Sequence, residues 1–167
     1  MCDRPTVTHR GSRPTVIDLY AGAGGLSLGM EQAGFDVLVA AEVDPVHALV
    51  QRYNFPCCEI VCEDLSEVTG DQLLSSAARG WSRHNPGAPF PGTVEAVVGG
   101  PPCQGFSVGG VRDVDDARND QLLQFVRLVT EIRPKAFCLE NVAGLLESTF
   151  DEKRTEALDL LEGAGYS

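Results

Sequence analysis

The stretch GGPPCQGFS, residues 99–107, sets a cysteine directly after two prolines, between the glycine pairs Gly99-Gly100 and Gly109-Gly110. Cys103 is either a turn residue that carries sulfur or a nucleophile presented on a stiff approach. Pro101 and Pro102 restrict the backbone before it, while Gly105, Gly109 and Gly110 let the following segment close over a ligand. A thiolate there would also gain from nearby backbone N–H groups. A second constellation is DLYAGAGG, residues 18–25. A tight glycine turn opening a helix makes an anion site, suited to a carboxylate as well as a phosphate. The turn lacks the Gly-Lys-Ser/Thr ending of a phosphate-gripping loop, and Ser27 stands where a dinucleotide fingerprint has its third glycine. Glu42 falls where an acid accepts hydrogen bonds from ribose hydroxyls, and Asp64 where one would accept from an exocyclic amine. Together they describe a pocket for adenosine with an amino-acid tail. Against this stands a plain structural turn flanked by solvated strand ends.

These residues need strand ends to hold them, and the hydrophobic pattern supplies them. Residues 15–22 read as a buried strand, 24–34 as a helix closed by Gly34, and 35–44 as a second strand. Pro45 opens the next helix. Residues 59–65 form a short third strand, 94–100 a fourth, 120–132 a helix ended by Pro134, 135–142 a fifth strand and 151–163 a last amphipathic helix. Residues 70–92, with Trp81 and three prolines, read as an irregular insertion containing at most a short helix. The alternation predicts an α/β fold, a mostly parallel sheet with helices on both faces. Ligands of such sheets bind at the carboxyl ends of the strands, where Cys103, Glu42 and Asp64 all fall.

Of the 167 residues, 43% are hydrophobic and 22% charged, as in a single folded domain. Residues 1–14 are expected to form an N-terminal extension and 15–167 one domain, which the glycine turn and Cys103 would make cofactor-binding and catalytic. No apolar run approaches the ~20 residues that span a bilayer, and the N-terminus lacks a secretory core, so a cytoplasmic setting is expected. The cysteines at 2, 57, 58, 62, 103 and 138 are then expected to be reduced thiols, with Cys138 in the core. Cys57, Cys58 and Cys62 lack the histidine or second cysteine pair of a zinc site, so no metal is expected. His9, His47 and His84 show no partnered spacing and read as surface or packing residues. A zinc nucleobase deaminase also carries Pro-Cys, but Phe106 replaces its second cysteine and no upstream His-x-Glu is present. The net charge of -11 opposes a free-standing nucleic-acid binder.

DLYAGAGG, GGPPCQGFS and LENV, in that order on strands one, four and five, resemble the cytosine-C5 DNA methyltransferases over residues 15–147. The resemblance implies a Rossmann-like fold truncated before its last strands, S-adenosylmethionine as cofactor, and methyl transfer to C5 of a flipped-out cytosine in double-stranded DNA. Carried over by motif, it puts the methionine end of the cofactor near Tyr20, Gly22, Ala23 and Gly25. The ribose falls to Glu42, the adenine to Val43, Asp64 and Leu65, and the sulfonium to Pro102. Cys103 becomes the nucleophile, with Glu140 and Asn141 on the cytosine and Gln104, Ser107 and Arg118 toward DNA. Such a thiolate adds to C6 and makes C5 enamine-like, Glu140 offsets the charge that develops at N3, and the base must leave the duplex to be reached.

The family continues past its Glu-Asn-Val strand into further strands and a target-recognition domain. The resemblance therefore implies an incomplete or split enzyme, with a second polypeptide as one source of the missing half. Its basic DNA-reading surface would lie there, which reconciles the acidic charge with a DNA substrate. A prokaryotic restriction-modification setting, on a nucleoid-associated substrate, is the expected context. Transfer to tRNA cytosine and an inactive cofactor-binding remnant are the alternatives.

Overall fold

A computed structural model describes residues 13–102, 120–146 and 151–167. Five parallel strands form one sheet in the order β3-β2-β1-β4-β5. They are β1 (Thr15–Leu19), β2 (Asp36–Ala41), β3 (Glu59–Val61), β4 (Ala96–Gly99) and β5 (Ala136–Leu139). The helices are α1 (Gly25–Gln32), α2 (Pro45–Asn54), α3 (Gly70–His84), α4 (Asp120–Ile132) and α5 (Asp151–Gly163), with a 3-10 turn at Ala143–Leu146. The chain runs outward from β1 to β3, then crosses back over β1 to place β4 on its other side. That reversal makes a crevice between the ends of β1 and β4, the switch point at which open α/β sheets bind ligands.

The pleat sends alternate side chains to opposite faces. On one face Ile17, Leu19, Leu38 and Val97 pack with Leu73, Ala77 and Trp81 of α3, Phe125 and Val129 of α4, and Ala157 and Leu161 of α5. On the other, Val16, Val37, Ala96 and Val98 pack with Leu26 and Met30 of α1 and with Phe55 and Cys58 beyond α2. Each fully buried aliphatic or aromatic side chain contributes about 1.5–3 kcal/mol, so the central strands β1 and β2, fully buried throughout or nearly so, anchor the sheet.

Three expectations are corrected. Residues 70–84, read as irregular, form α3, fifteen residues long. Thr69 and Gln72 close a reciprocal capping box at its start, and the prolines all follow its end. Gly80 lets α3 lie against β2, because a Cβ there would overlap the Leu38 carbonyl. Cys138, expected in the core, is exposed. Its register partner is Val98, so it faces the α1/α2 side, and those helices cover β1 and β2 without reaching β5. Cys58, Cys62 and Cys138 are free thiols, whereas Cys57 is in a disulfide, against the expectation of reduced thiols throughout.

Candidate functional site

The residues following β1 turn sharply. Tyr20 and Gly22 take positive φ of 57° and 54°, and Gly24 takes φ 102° as the N-cap of α1. Glycine accepts that region without strain, and at Gly24 a Cβ would meet the Phe55 ring at 2.5 Å. No side chain caps α1 and its first turn carries no acid, which leaves its opening N–H groups for an anion. By contrast α2 is capped by Asp44, whose carboxylate accepts from the Val46 and His47 amides and is held below the usual range by them.

Two side chains hold the turn from outside. Glu42, just past β2, accepts from the Gly22 amide at 2.8 Å through Oε2 and from the Asp44 amide at 2.8 Å through Oε1. Gln51 of α2, fully buried, donates from Nε2 to the Ala21 carbonyl at 3.2 Å and to Ser27 Oγ at 3.4 Å. Ser27 Oγ donates in turn to Asp18 Oδ2 at 2.5 Å. Asp18 itself is fully buried and its Oδ1 has no hydrogen-bond partner among the described residues. Burial pushes its carboxyl up to about 6; the hydrogen bonds from Ser27 pull it back, and the charge of Glu42 adds to the rise.

A cleft of about 400 Å³ opens here, lined by Asp18, Tyr20, Ala21, Gly25, Leu26, Gly100 and Glu140. It therefore joins the ends of β1, β4 and β5. The Glu140 amide donates to the Gly99 carbonyl at 2.9 Å, and its Oε2 lies 3.0 Å from where a Gly100 Cβ would be, so a bare glycine is what lets the carboxylate lie over the end of β4. Asn141 is half-buried, with Oδ1 accepting from the Val142 amide and Nδ2 without a partner among the described residues.

The Tyr20 hydroxyl donates to the carbonyl and Oε1 of Gln121 at 3.1 and 3.0 Å, tying the turn to the first residues of α4. Burial, and then the negative charge of Asp64, push this phenol above its ordinary range, with Arg127 opposing. Asp64 is exposed and held low by the Ser66 amide and then its hydroxyl. The Leu65 side chain is buried and its carbonyl accepts from Arg127 at 2.7 Å, so of that pair Asp64 stands at the surface. Val43 is 63% exposed beyond Glu42, Ala23 is exposed at the turn, and Pro102 is exposed beyond β4. Thus Tyr20, Gly25 and Glu140 share the cleft, Gly22 is tied to its rim by Glu42, and Val43 and Asp64 lie along the neighbouring strand ends. Cys103, Gln104, Ser107 and Arg118 lie outside the described residues. Sequence reasoning missed Asp18 and Gln51, which stand within a buried strand and a helix. The available signal for Gln51 was an amide in the α2 stripe between Ala48 and Phe55.

A parallel sheet with a glycine turn, a strand-end acid and a cleft at the switch point defines a Rossmann-like ligand-binding domain. The family model for C-5 cytosine-specific DNA methylases matches residues 14–167, and the chain belongs to that family. It is 43% identical over 155 residues to Type II methyltransferase M.XorII of Xanthomonas oryzae, covering 93% of this chain and 34% of that protein. To Type II methyltransferase M1.HphI of Haemophilus parahaemolyticus it is 39% identical over 155 residues, covering 91% and 38%. The chain thus spans little more than a third of these relatives. A solved E. coli structure, described as a candidate DNA modification methyltransferase encoded within a prophage, superposes with a TM-score of 0.71 at 37% identity, over 90% of this chain and 38% of that one. A mutant of DNMT2 from Spodoptera frugiperda superposes with a TM-score of 0.61 at 22% identity, over 90% of this chain and 41% of that one, and shares the fold. Among the described residues no helix is long and apolar enough to cross a membrane.

Proposed function

We propose that this chain is the cofactor-binding and catalytic portion of a DNA cytosine-C5 methyltransferase that uses S-adenosylmethionine and a covalent Cys103 adduct. The observation that carries the reading is the single cleft in which Asp18, the glycine turn and Glu140 meet. It brings the residues assigned to the cofactor next to one assigned to the base.

The donors fit the cofactor's three parts. The uncapped start of α1 suits its carboxylate, and the unpartnered Asp18 Oδ1 suits its ammonium. Each Glu42 oxygen accepts one amide and keeps a lone pair for a ribose hydroxyl. Val43 offers apolar surface to the adenine and Asp64 a fixed acceptor. When bound, S-adenosylmethionine supplies a methyl group on a positively charged sulfur. The Cys103 thiolate adds to cytosine C6, and Glu140 holds the proton or hydrogen bond at N3 that balances the charge so formed. Asn141 orients the ring through its amide. After methylation the C5 proton is lost to a base, and the C6–S bond breaks to return the Cys103 thiolate. The partner and setting of this reading are duplex DNA and a restriction-modification system, which its family and its likeness to Type II methyltransferases support.

The test is a duplex carrying 5-fluorocytosine at the target, incubated with the natural full-length protein and S-adenosylmethionine. Fluorine cannot leave as a proton does, so a DNA complex that survives denaturation is expected with the wild type and none with Cys103→Ser. Methyl transfer undiminished in Cys103→Ser overturns the nucleophile; transfer to tRNA with none to DNA overturns the substrate.

A further inference from the structure

The buried network beneath the glycine turn goes beyond the residues that would touch the cofactor. Gln51 of α2 reaches across to β1 and α1 and makes two contacts there, on the Ala21 carbonyl and on Ser27 Oγ. Only one amide orientation works. Ser27 spends its single hydroxyl hydrogen on Asp18 Oδ2, so it can only accept from Gln51, and a carbonyl can only accept. Both facing atoms thus require the N–H end of the amide. Gln51 Oε1 then lies against Gly24 without a hydrogen-bond partner, and leaving a buried acceptor bare costs about 1–3 kcal/mol. A long polar side chain buried at that cost in an α2 position that apolar residues would fill is held by what its donors do.

We propose that Gln51 is a positioning residue for cofactor binding: by orienting the Ser27 hydroxyl toward Asp18 and gripping the Ala21 carbonyl, it sets the acid and the glycine turn in the cleft. The inference rests on the reading of the cleft as the S-adenosylmethionine site. Its physical content is a chain of donors. Gln51 fixes which way the Ser27 O–H points; the Ser27 O–H stabilises ionised Asp18; ionised Asp18, buried in the wall of the cleft with Oδ1 unpartnered among the described residues, attracts a cationic group there. Tyr20 shares the cleft as a neutral phenol, and the other titratable groups facing Asp18 are Glu42 from the end of β2, Cys58 beyond α2 and Glu140 from the end of β5. Burial, with the negative charge of Asp18 and Glu31 adding, pushes the Cys58 thiol far up, so it stays neutral. None of the three supplies a positive charge to Asp18, which leaves the Ser27 hydroxyl and amide to hold it ionised.

The experiment uses the 167-residue chain with two readouts. The first follows the Asp18 carboxyl carbon by NMR from pH 4.5 to 8.5, without ligand. The second is calorimetric titration with S-adenosylmethionine over the same range. Gln51→Met keeps the length of the side chain and deletes both donors. It should raise the Asp18 midpoint by half a pH unit or more and weaken binding about twofold or more at pH 6, with less of the loss remaining at pH 8.5. Ser27→Ala should move the midpoint the same way, and it replaces Gln51→Met if that variant does not fold. A midpoint and affinity unchanged in a folded Gln51→Met overturn the inference while leaving the site intact, provided Glu42→Ala still weakens binding. A wild-type chain that binds no S-adenosylmethionine, or binding indifferent to Glu42→Ala, overturns the site reading and this inference with it.

Discussion

The glycine-turn side of the sheet and its β5 edge hold the two parts of the cleft by opposite means. Around the turn side chains brace the walls: Glu42 and Gln51 grip the backbone, Ser27 grips Asp18, and the strands behind are fully buried. At β5 the side chains alternate between exposed and half-buried, and Cys138 faces solvent. Glu140 is placed there by backbone pairing to Gly99 and by the bareness of Gly100 rather than by a side-chain network. The difference implies that the glycine-turn side is organised before any ligand arrives, whereas the β5 side is held by little besides its backbone pairing. Substitutions should separate the two, costing stability on the first side and little on the second.

The largest effect is expected at Gly80. Gly80→Ala forces a methyl group into the Leu38 carbonyl of β2, a central strand, and neither backbone can yield without moving α3. About 3 kcal/mol or more of stability should be lost. Urea unfolding measures it, and an unchanged midpoint would show that α3 is not braced on β2 in this way.

Next comes Asp18, where stability and function should part. Its carboxyl titrates near 6 in the fold against an ordinary 3.8, so the folded state favours the protonated form. The stability this brings is full below pH 3.8 and is lost as pH rises through about 6. Two units are worth roughly 3 kcal/mol. Asp18→Asn, neutral at every pH, should therefore be more stable than the wild type at pH 8 by up to that amount and should converge with it near pH 4. It should also bind S-adenosylmethionine more weakly. Such a trade is usual where a site carries an unsatisfied group for its ligand. A wild-type stability flat from pH 4 to 8 would remove the argument.

The same contrast governs what could be read from the sequence. Strands β1, β2 and β4 announce themselves as apolar runs because both their faces are covered, and the acids that follow β2 and β3 are legible as polar residues at the ends of those runs. Asp18 was not legible, since one acid inside TVIDL looks like a blemish in a buried strand until the fold sets it against a cleft. Helix α3 was read as at most a short one because Gly80, Ser75 and Ser76 dilute a stripe of Leu73, Ala77 and Trp81, and because three prolines just beyond it mimic a loop. Cys138 was misjudged for the complementary reason. An apolar strand implies cover on both faces, but which helix supplies the cover is a property of topology and not of the strand.

Smaller effects sharpen the comparison. Thr69→Ala removes one side of the capping box on α3 and should cost about 1 kcal/mol, read as a modest fall in the melting midpoint with binding unchanged. At the β5 edge Cys138→Ser should cost less than about 0.5 kcal/mol, as surface substitutions do.

The thiols give the finest test, because one reagent reads both sides at once. Alkylation needs a thiolate that the reagent can reach. Cys138 and Cys62 are exposed, while Cys58 is 5% exposed and pushed far above its ordinary range by burial. Iodoacetamide at pH 8 should therefore label Cys138 and Cys62 in the native chain within minutes and leave Cys58 unmodified until the chain unfolds. The rate at Cys58 then reports opening of the glycine-turn side, and the rate at Cys138 reports cover of the β5 edge. Gly80→Ala should accelerate labelling of Cys58 and leave Cys138 unchanged. A partner or further chain segment that packs on β5 should do the reverse, slowing Cys138 without touching Cys58. If both thiols always changed together, the two sides would be one cooperative unit, and the division between a braced glycine-turn side and an open β5 side would fail.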